Sequence, residues 1–396
     1  MCSRKLSILF IIIAFVSKTS FAQQKITIEQ ADINSYALYE KADWKNLLQY
    51  GKAYLASNQP DFVLLRLRLG YAAFMLHNFS LALQQYHAVI QQDATNETAH
   101  YYSWLCRKYL NQFEMAAVHE KYFSAALKTK EKLNNTFAFV QAGVECSYKA
   151  TEVVQRGDGL YTRLDIKTKL LRNIHMYHAA ALYNQTISEN KLITVANNTQ
   201  IAINQKEYYN KTIINVHPNW QLIAVYHYLY TPFNNYLYNN HITLLGIKYN
   251  HYYYSLQADA IVATLTDTAM QQYNATLSVF PLGNLNLYSI STASYSTKKT
   301  TNAFNFKQVV GAKILPFLWI EANVTLGAFN NFLENDALYV YNAIDKNNVK
   351  AGATTYITLS PKVIIQLGYT FENRTVYKTN NTFNQHSITG GLSCKF

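Results

Sequence analysis

Residues suited to catalysis are present, but their spacing does not build a catalytic site. His175 and His178 lie three positions apart in a segment of alternating polar and apolar residues, so on a strand they point to opposite faces. His386 and Ser387 are neighbours in the chain and also point in opposite directions. His227 has neither a paired carboxylate nor a nucleophile at a suitable spacing. The sequence therefore predicts that the protein is not an enzyme.

Charged side chains at alternate positions form the other candidate site. Arg163, Asp165 and Lys167 alternate with apolar residues, so on a strand they share one face. On the inside of a barrel, such a face suits either passage of a polar solute or ion pairs that cross the interior. If passage occurs, the basic run on this segment would favour acidic cargo. The predicted lumen-lining residues are Glu145, Arg163, Asp165, Lys167, Lys169, Asp259, Lys313, Glu321, Glu372 and Lys395.

The composition excludes several classes of protein. The chain has 396 residues, of which 15% are charged, with only 13 Gly and 6 Pro, so it is too apolar for a disordered chain and too long for one ordinary core. The net charge of +12 is spread thinly and forms no basic block, so no nucleic-acid partner is expected. The 4 Cys show no C-x-x-C spacing, so neither a metal site nor a cofactor is predicted.

The first 22 residues have the pattern of an export signal. Arg4 and Lys5 precede an apolar stretch over residues 6–16, and small residues Ser20 and Ala22 stand where a signal peptidase cleaves. We therefore expect residues 1–22 to be a signal peptide and the mature chain to begin at Gln23. The apolar stretch is shorter than the roughly 20 residues that a helix needs to cross a bilayer.

Residues 23–132 are predicted to form helical hairpins. Apolar residues recur there at helical spacing, and residues 27–132 contain one Pro and two Gly. When the segment is aligned with itself, Trp44, Phe79 and Phe113 coincide at separations of 35 and 34 residues, the period of tetratricopeptide repeats. The predicted packing positions between paired helices are Trp44, Gly70, Phe79, Ala82, Phe113 and Ala116.

Residues 69–93 resemble the tetratricopeptide consensus most closely, with Gly70 and Ala82 at the points of closest helix approach. About three helix pairs are predicted, of which the flanking two match less well. Stacked pairs of this kind leave a concave groove, so the resemblance implies a periplasmic protein or peptide as partner. The alternative is that the helices serve only as a spacer or plug for the following domain.

Residues 135–396 change to a period of two. Val363, Ile365 and Leu367 alternate with polar or small residues, and such runs reach ten to thirteen residues, which is the length of a tilted strand that crosses a bilayer. In hydrocarbon a sheet must close on itself, so the alternation predicts an antiparallel transmembrane β-barrel with apolar residues outside and polar residues inside. The predicted fold class is therefore α+β multidomain, with tetratricopeptide-like helical hairpins followed by the barrel.

The connections predict about fourteen strands. Tight turns are expected near Arg172, Pro218, Asn250, Pro281, Pro316 and Pro361. Longer polar loops are expected near 149–159, 185–205, 231–240, 266–270, 296–302, 329–349 and 373–383. If both barrel ends lie in the periplasm, six turns and seven loops each correspond to fourteen strands, although ragged segments leave twelve possible.

The last strand provides an independent indication of membrane insertion. Ile388, Leu392 and Phe396 share one face, and the chain ends on that Phe. The pattern resembles the terminal strand that the outer-membrane barrel-insertion machinery recognises. Together, the export signal, the helical hairpins and this barrel resemble the YaiO family of outer-membrane proteins. The order of parts is also similar to that of exopolysaccharide export porins, which carry a longer repeat region.

The resemblance implies an outer-membrane location in a Gram-negative bacterium, with the repeat domain in the periplasm and lipid around the barrel, but no assigned reaction. The leading hypothesis is export or assembly of a surface polymer such as polysaccharide. A general diffusion porin is the second hypothesis. The third is a non-conducting membrane platform for a periplasmic partner.

Overall fold

The computed structural model describes residues 26–133, 137–153, 156–189, 199–233, 236–299, 301–377 and 379–396. The predicted signal peptide, residues 1–22, lies outside the described residues. The described chain contains a helical region followed by a closed antiparallel barrel of fourteen strands. The predicted fold class is confirmed, with fourteen strands rather than twelve.

Seven α-helices form the first region. They are α1 (Ile28–Glu40), α2 (Trp44–Ala56), α3 (Val63–Met75), α4 (Phe79–Gln92), α5 (Glu97–Tyr109), α6 (Phe113–Ala116) and α7 (Ala125–Lys130). A 3-10 helix, Ala117–Tyr122, continues directly from α6. Side chains of Asp43, Asn78 and Asn96 accept hydrogen bonds from backbone N–H groups in the first turns of α2, α4 and α5, which satisfies donors that a helix start leaves free.

The helices pack as antiparallel pairs, α1 with α2, α3 with α4, and α5 with the short α6. The three aligned aromatic residues of the sequence repeat each begin the second helix of a pair. Gly70 of α3 approaches α4 so closely that an added Cβ would lie 2.7 Å from the ring of Tyr86. Ala82 and Ala116 are buried. The helical hairpins are therefore present, whereas their membership of the tetratricopeptide family stays a prediction.

The barrel strands are β1 (Ala138–Thr151), β2 (Arg156–Leu171), β3 (Ile174–Glu189), β4 (Thr199–His217), β5 (Trp220–Phe233), β6 (Tyr236–Asn250), β7 (Tyr254–Leu265), β8 (Thr268–Val279), β9 (Leu287–Lys298), β10 (Thr301–Leu315), β11 (Leu318–Glu334), β12 (Tyr339–Ser360), β13 (Val363–Thr375) and β14 (Thr382–Lys395). Each strand pairs with its neighbour in sequence, and β1 pairs with β14 from Gln141↔Lys395 to Thr151↔Gln385. This pairing closes the barrel and leaves no free sheet edge.

The strands are longer than the alternation alone predicts. Residues 231–240, expected to be a loop, lie mostly in β5 and β6, whose ladder runs to Phe233↔Tyr236. Residues 329–349 lie mostly in β11 and β12. Backbone pairing continues as long as both strands have donors and acceptors to satisfy, so polar residues at the strand ends do not by themselves end a ladder.

The two ends of the barrel differ. The helices, the start of β1 and the end of β14 lie at one end, here called the proximal end, together with the turns that precede β3, β5, β7 and β9. The opposite end is called the distal end. None of the described helices is long and apolar enough to cross a membrane.

The outer face of the barrel is apolar and exposed. Large apolar side chains at alternate positions, such as Leu164, Leu245 and Leu367, are more than half exposed. The prediction that the inner face is polar is wrong for one patch of β5–β8, where Ile242 and Leu244 on β6 and apolar inward neighbours on β5, β7 and β8 are buried. Both faces of the strands are apolar over this patch, and a second structural element covers its inner side.

Candidate functional site: a barrel lumen closed by a hairpin and by helices

The element inside the lumen is the connection between β11 and β12. At Gly327 the backbone has φ +114°, and the β11–β12 ladder changes register between Leu326 and Asn331. An added Cβ at Gly327 would clash with Asn305 Oδ1 and the Phe304 carbonyl, so only glycine fits this bend. Residues 327–346, here called the lumen hairpin, therefore turn into the barrel.

Polar contacts hold the tip of the lumen hairpin against the wall. Gln272 on β8 donates from Nε2 to the Leu333 carbonyl at 2.7 Å and accepts from the Leu333 N–H at 3.1 Å. Asp336 forms an ion pair with Lys211 on β4 and accepts from Gln257 on β7 at 2.7 Å. His227 Nδ1 on β5 lies 2.8 Å from the backbone oxygen of Ala337.

Apolar contacts hold the same tip. Leu333 and Ala337 belong to one buried cluster with the inward residues of β5–β8. Contact with the lumen hairpin explains why this part of the wall is apolar, since without the hairpin these side chains would be exposed to water. Its members on the wall are Ala179, Tyr209, Ile223, Val225, Leu229, Ile242, Leu244, Ile261, Ala263, Leu265 and Met270.

Hydrogen bonds and an ion pair fix the arms of the lumen hairpin to the opposite side of the barrel. The hydroxyl of Tyr339 donates to Glu145 at 3.0 Å and accepts from Arg163 at 2.8 Å. Arg163 also lies 3.1 Å from Glu145. Asp345 pairs with Arg156 at 2.6 Å. The lumen hairpin thus contacts β1, β2, β4, β5, β7 and β8 and crosses the interior.

Beside the lumen hairpin lies a cavity of about 620 Å³. On the β4–β5 side it is bounded by residues near the distal end, such as Glu207 and Thr231. On the β9–β13 side it reaches further toward the proximal end, to Ile290, Tyr356 and Gln366. The open part of the lumen is therefore eccentric and follows the wall that the lumen hairpin leaves uncovered.

The charges around this cavity balance. Its lining contains six cationic and six acidic side chains: Lys149, Arg156, Arg163, Lys307, Lys350, Arg374, Glu145, Glu207, Glu321, Glu334, Asp345 and Glu372. Most form close pairs, such as Lys350 with Glu334 at 2.6 Å and Arg374 with Glu372 at 2.8 Å. The expected attraction of acidic cargo by the basic run on β2 therefore lacks an excess of positive charge, because carboxylates neutralise that run.

The proximal mouth is closed by α6 and the 3-10 helix. Glu120 accepts from Lys169 of β2 at 2.6 Å, and both side chains are buried. The Glu114 carbonyl accepts from Asn215 of β4 at 2.6 Å. On the other side of the mouth, the Lys395 ammonium of β14 lies 5.0 Å from the centre of the Phe113 ring. A short helical segment thus spans the opening from β14 to β4.

A second row of contacts seats the helical pairs on the proximal turns. Ser80 of α4 donates from its N–H to the Gly283 carbonyl at 3.0 Å and from its hydroxyl to the Tyr252 carbonyl at 2.5 Å. Asn284 donates to the His77 carbonyl at 2.9 Å. Tyr252, in the turn before β7, packs against the buried cluster of α3–α5.

Two histidines, buried His100 and half-buried His119, join α5 to the 3-10 helix. His100 Nδ1 lies 2.9 Å from His119 Nδ1, and His100 Nε2 lies 3.1 Å from the Ala94 carbonyl. A carbonyl can only accept, so His100 carries its proton on Nε2 and His119 donates from Nδ1. Burial lowers the pKa of both groups, and neighbouring cations, Lys121 for His100 and Arg107 for His119, lower each pKa further.

The remaining predicted lumen residues lie at separate places on the wall. Lys167 lies near the Tyr177 ring at 5.9 Å, Lys313 over Trp319 at 4.6 Å, and Asp259 accepts from Asn274 at 2.6 Å. Glu321 accepts from Tyr288 at 2.5 Å and Tyr356 at 2.9 Å, whereas Asp165 lies 3.4 Å from Arg163. Glu145, Arg163 and Glu372 are the predicted residues that meet around the cavity, together with Glu321.

Sequence reasoning missed the residues of the lumen hairpin, including Glu334, Asp336 and Tyr339. The available signal was Gly327, since an isolated glycine inside a strand pattern indicates a bulge. Among the described residues, no group of three or more His, Cys, Asp or Glu side chains is placed to hold a metal ion. Of the histidines considered for catalysis, His175 and His178 lie on β3, His227 on β5 and His386 on β14.

The terminal-strand residues face outward. Ile388 and Phe396 are more than 60% exposed, and Leu392 is also exposed. They lie on or directly after β14, which seals the barrel against β1. Recognition by an insertion machinery stays a prediction.

No protein-family model matches the chain, and no curated protein matches it. Among solved structures, the toluene transporter TodX of Pseudomonas putida has 8% identity and a TM-score of 0.44, over 67% of this chain and 91% of that one. A bacterial polysaccharide outer membrane secretin has 8% identity and a TM-score of 0.41, over 67% and 99%. The outer membrane protein Omp33 of Acinetobacter baumannii has 10% identity and a TM-score of 0.37, over 65% and 99%. At these identities and TM-scores, no property of the solved structures carries over to this chain.

Proposed function

We propose that the protein is an outer-membrane β-barrel with its helical region in the periplasm. The supporting observation is a closed sheet whose outer face is apolar, since a closed strand barrel is the form of sheet that satisfies every backbone group in hydrocarbon. Both ends of the barrel sequence lie beside the helices, so the proximal end is the periplasmic end. No catalytic step is part of this function.

The barrel serves as a conduit that the helical region keeps closed. The observation that carries this proposal is the buried pair between Glu120 and Lys169, which holds the 3-10 helix across the proximal mouth. A cavity already extends from the distal end along β9–β13, so displacement of this helix would join it to the periplasm. The more specific role is export or assembly of a surface polymer such as polysaccharide, with a periplasmic partner bound at the helical pairs.

Charge reversal at the mouth tests the conduit. In full-length Lys169→Glu protein, the new carboxylate faces Glu120, and two buried like charges repel, so the helix should leave the mouth. Single-channel recording in planar bilayers should then show steady openings that the unmodified protein lacks. The matched control is Lys169→Glu combined with Glu120→Lys, which restores an ion pair and should restore closure. Silence from the single variant, with the protein folded and inserted, would refute the conduit.

A non-conducting platform for a periplasmic partner is the second candidate. The lumen hairpin favours it, because it obstructs the interior independently of the helices. The same recording separates the two functions, since a platform stays silent in both variants. A general diffusion porin is disfavoured, because two separate elements obstruct the lumen.

A further inference from the structure

The tip of the lumen hairpin is bound to the wall of β5–β8 by buried contacts that would be lost if the hairpin moved into solvent. Gln272 makes two hydrogen bonds with the backbone of Leu333, and both partners are buried. If the hairpin left, the Gln272 amide would lose both hydrogen bonds to Leu333, and the apolar inner faces of Ile242 and Ile261 would meet water. The structure therefore opposes a gate in which this hairpin swings out.

The opposite wall has the properties of a passage. Inward residues on β11–β13 border the cavity from Glu372 near the distal end toward Tyr356 and Gln366, and inward residues of β14, β1, β2 and β3 line it as well. The side chains there are polar, and many form hydrogen bonds with one another. Glu321, for example, is fixed between the hydroxyl groups of Tyr288 and Tyr356.

The lining also indicates the class of ligand. Six tyrosines border the cavity along with amides and hydroxyls: Tyr161, Tyr183, Tyr238, Tyr339, Tyr341 and Tyr356. A tyrosine ring offers an apolar face and a polar tip, which suits a molecule that is polar at its edges and less polar on its faces. The six cations and six carboxylates cancel, so the cavity has no net charge with which to concentrate an ion of either sign.

We propose that the lumen hairpin is a fixed partition, and that an uncharged polar ligand of the size and character of a short saccharide binds in the cavity between it and the wall that β11–β14 and β1–β3 form. This inference deepens the proposed conduit by stating which half of the lumen the cargo occupies. The hairpin tip and the wall of β5–β8 then act as a single inner core, and the path follows the other side.

Thiol accessibility in the full chain tests the fixed partition without requiring conduction. In a background of Cys2→Ser, Cys146→Ser and Cys394→Ser, the remaining Cys106 is buried. Thr354→Cys places a thiol on the cavity wall, and Ala263→Cys places one in the apolar cluster that the lumen hairpin covers. Each variant is first checked for a heat-modifiable shift on unboiled gels, which shows that the barrel has folded.

With a membrane-impermeant maleimide added from the distal side, Thr354→Cys should label at least about 30-fold faster than Ala263→Cys, because a covered thiol reacts only during rare local opening. A smaller ratio in folded protein would overturn the proposal, since it would mean that the hairpin leaves the wall.

Reagents of different charge test the ligand class. Gln366→Cys lies deeper on the same wall and would be modified by methanethiosulfonates that carry a trimethylammonium, a sulfonate or an uncharged glucosyl group. After correction for their rates with a free thiol, the two ionic reagents should modify this thiol at rates within about threefold of each other. A wall of one net charge would make the two rates differ by ~10-fold or more. The glucosyl reagent should be at least as fast as either one, and a strong preference for one ion would refute the assignment.

The two proposals fail separately. If Lys169→Glu never conducts but the accessibility pattern is as expected, the conduit is wrong and the partition with its ligand cavity stands. If Lys169→Glu conducts but Ala263→Cys labels readily, the conduit stands and the partition is wrong.

Discussion

Glu334 at the tip of the lumen hairpin provides the sharpest test of how the hairpin is held. Its carboxylate lies 2.6 Å from the Lys350 ammonium and 3.8 Å from that of Lys307, and it accepts from Thr325 at 3.3 Å. The Glu334 side chain is 2% exposed, whereas those of Lys350 and Lys307 are 12% and 17% exposed. Glu334→Gln keeps the shape and removes the charge that these two cations share.

The expected cost is about 3 kcal/mol of unfolding free energy. Removal of one partner from a buried pair typically costs about 3–5 kcal/mol, because the other charge is left without compensation. We expect the lower end of that range, since both lysines border the cavity and water can reach them. A loss of 3 kcal/mol corresponds to roughly a hundredfold in the ratio of folded to unfolded protein.

Denaturant titration of the barrel in phospholipid vesicles measures this cost. The control is Glu152→Gln, because Glu152 lies 3.8 Å from His386 in an exposed pair, with 56% of its side chain accessible. Exposed pairs contribute at most about 1 kcal/mol, so the control should change little. The double variant Glu334→Gln with Lys350→Met should cost less than the sum of its two single changes. Equal effects of Glu334→Gln and Glu152→Gln would refute the reasoning.

Three further predictions concern other elements. Gly70→Ala should destabilise the helical region by about 1–3 kcal/mol through overpacking against Tyr86, and a thermal unfolding curve that does not shift would contradict the close approach. Burial lowers the pKa of His100 and His119 in the folded state, so as the pH falls these histidines are protonated in the unfolded chain before the folded one. The free energy of unfolding of the helical region should therefore be greatest above about pH 6.5 and decrease as the pH falls below it. Circular dichroism at pH 7.5 and 5.5 measures this loss, and His119→Gln should make the profile flatter. Gly327→Ala should cost about 1–3 kcal/mol in the vesicle titration, because alanine is strained at φ +114°, and an unchanged free energy would argue against the inward bend.

Much of the fold could be predicted from local patterns. The period of two in strands such as β13 predicted the barrel, and the turn signals around Pro218 and Pro316 led to the correct count of strands. The spacing of Trp44, Phe79 and Phe113 marked the starts of three helices. These features depend on interactions between near neighbours in the chain, which a single sequence contains.

The interior of the barrel could be predicted only in part. Alternation indicated which charged residues share a face, and Glu145, Arg163 and Glu372 do border the cavity. It could not indicate that Arg163 meets Tyr339, which lies 176 positions away in the chain. It also missed the apolar patch on the inner face of β5–β8, since an apolar residue at an inward position indicates a covering element only when that element is known.

The sequence by itself determined that strands close into a barrel and that helices precede it, because backbone hydrogen bonding and hydrophobic period are local properties. Only the tertiary structure decided that Gly327 turns a hairpin into the lumen, and that the 3-10 helix covers the proximal mouth through Glu120 and Lys169. Both closures join residues far apart in the chain. Whether such groups meet depends on how the closed barrel places its strands, which no local pattern specifies.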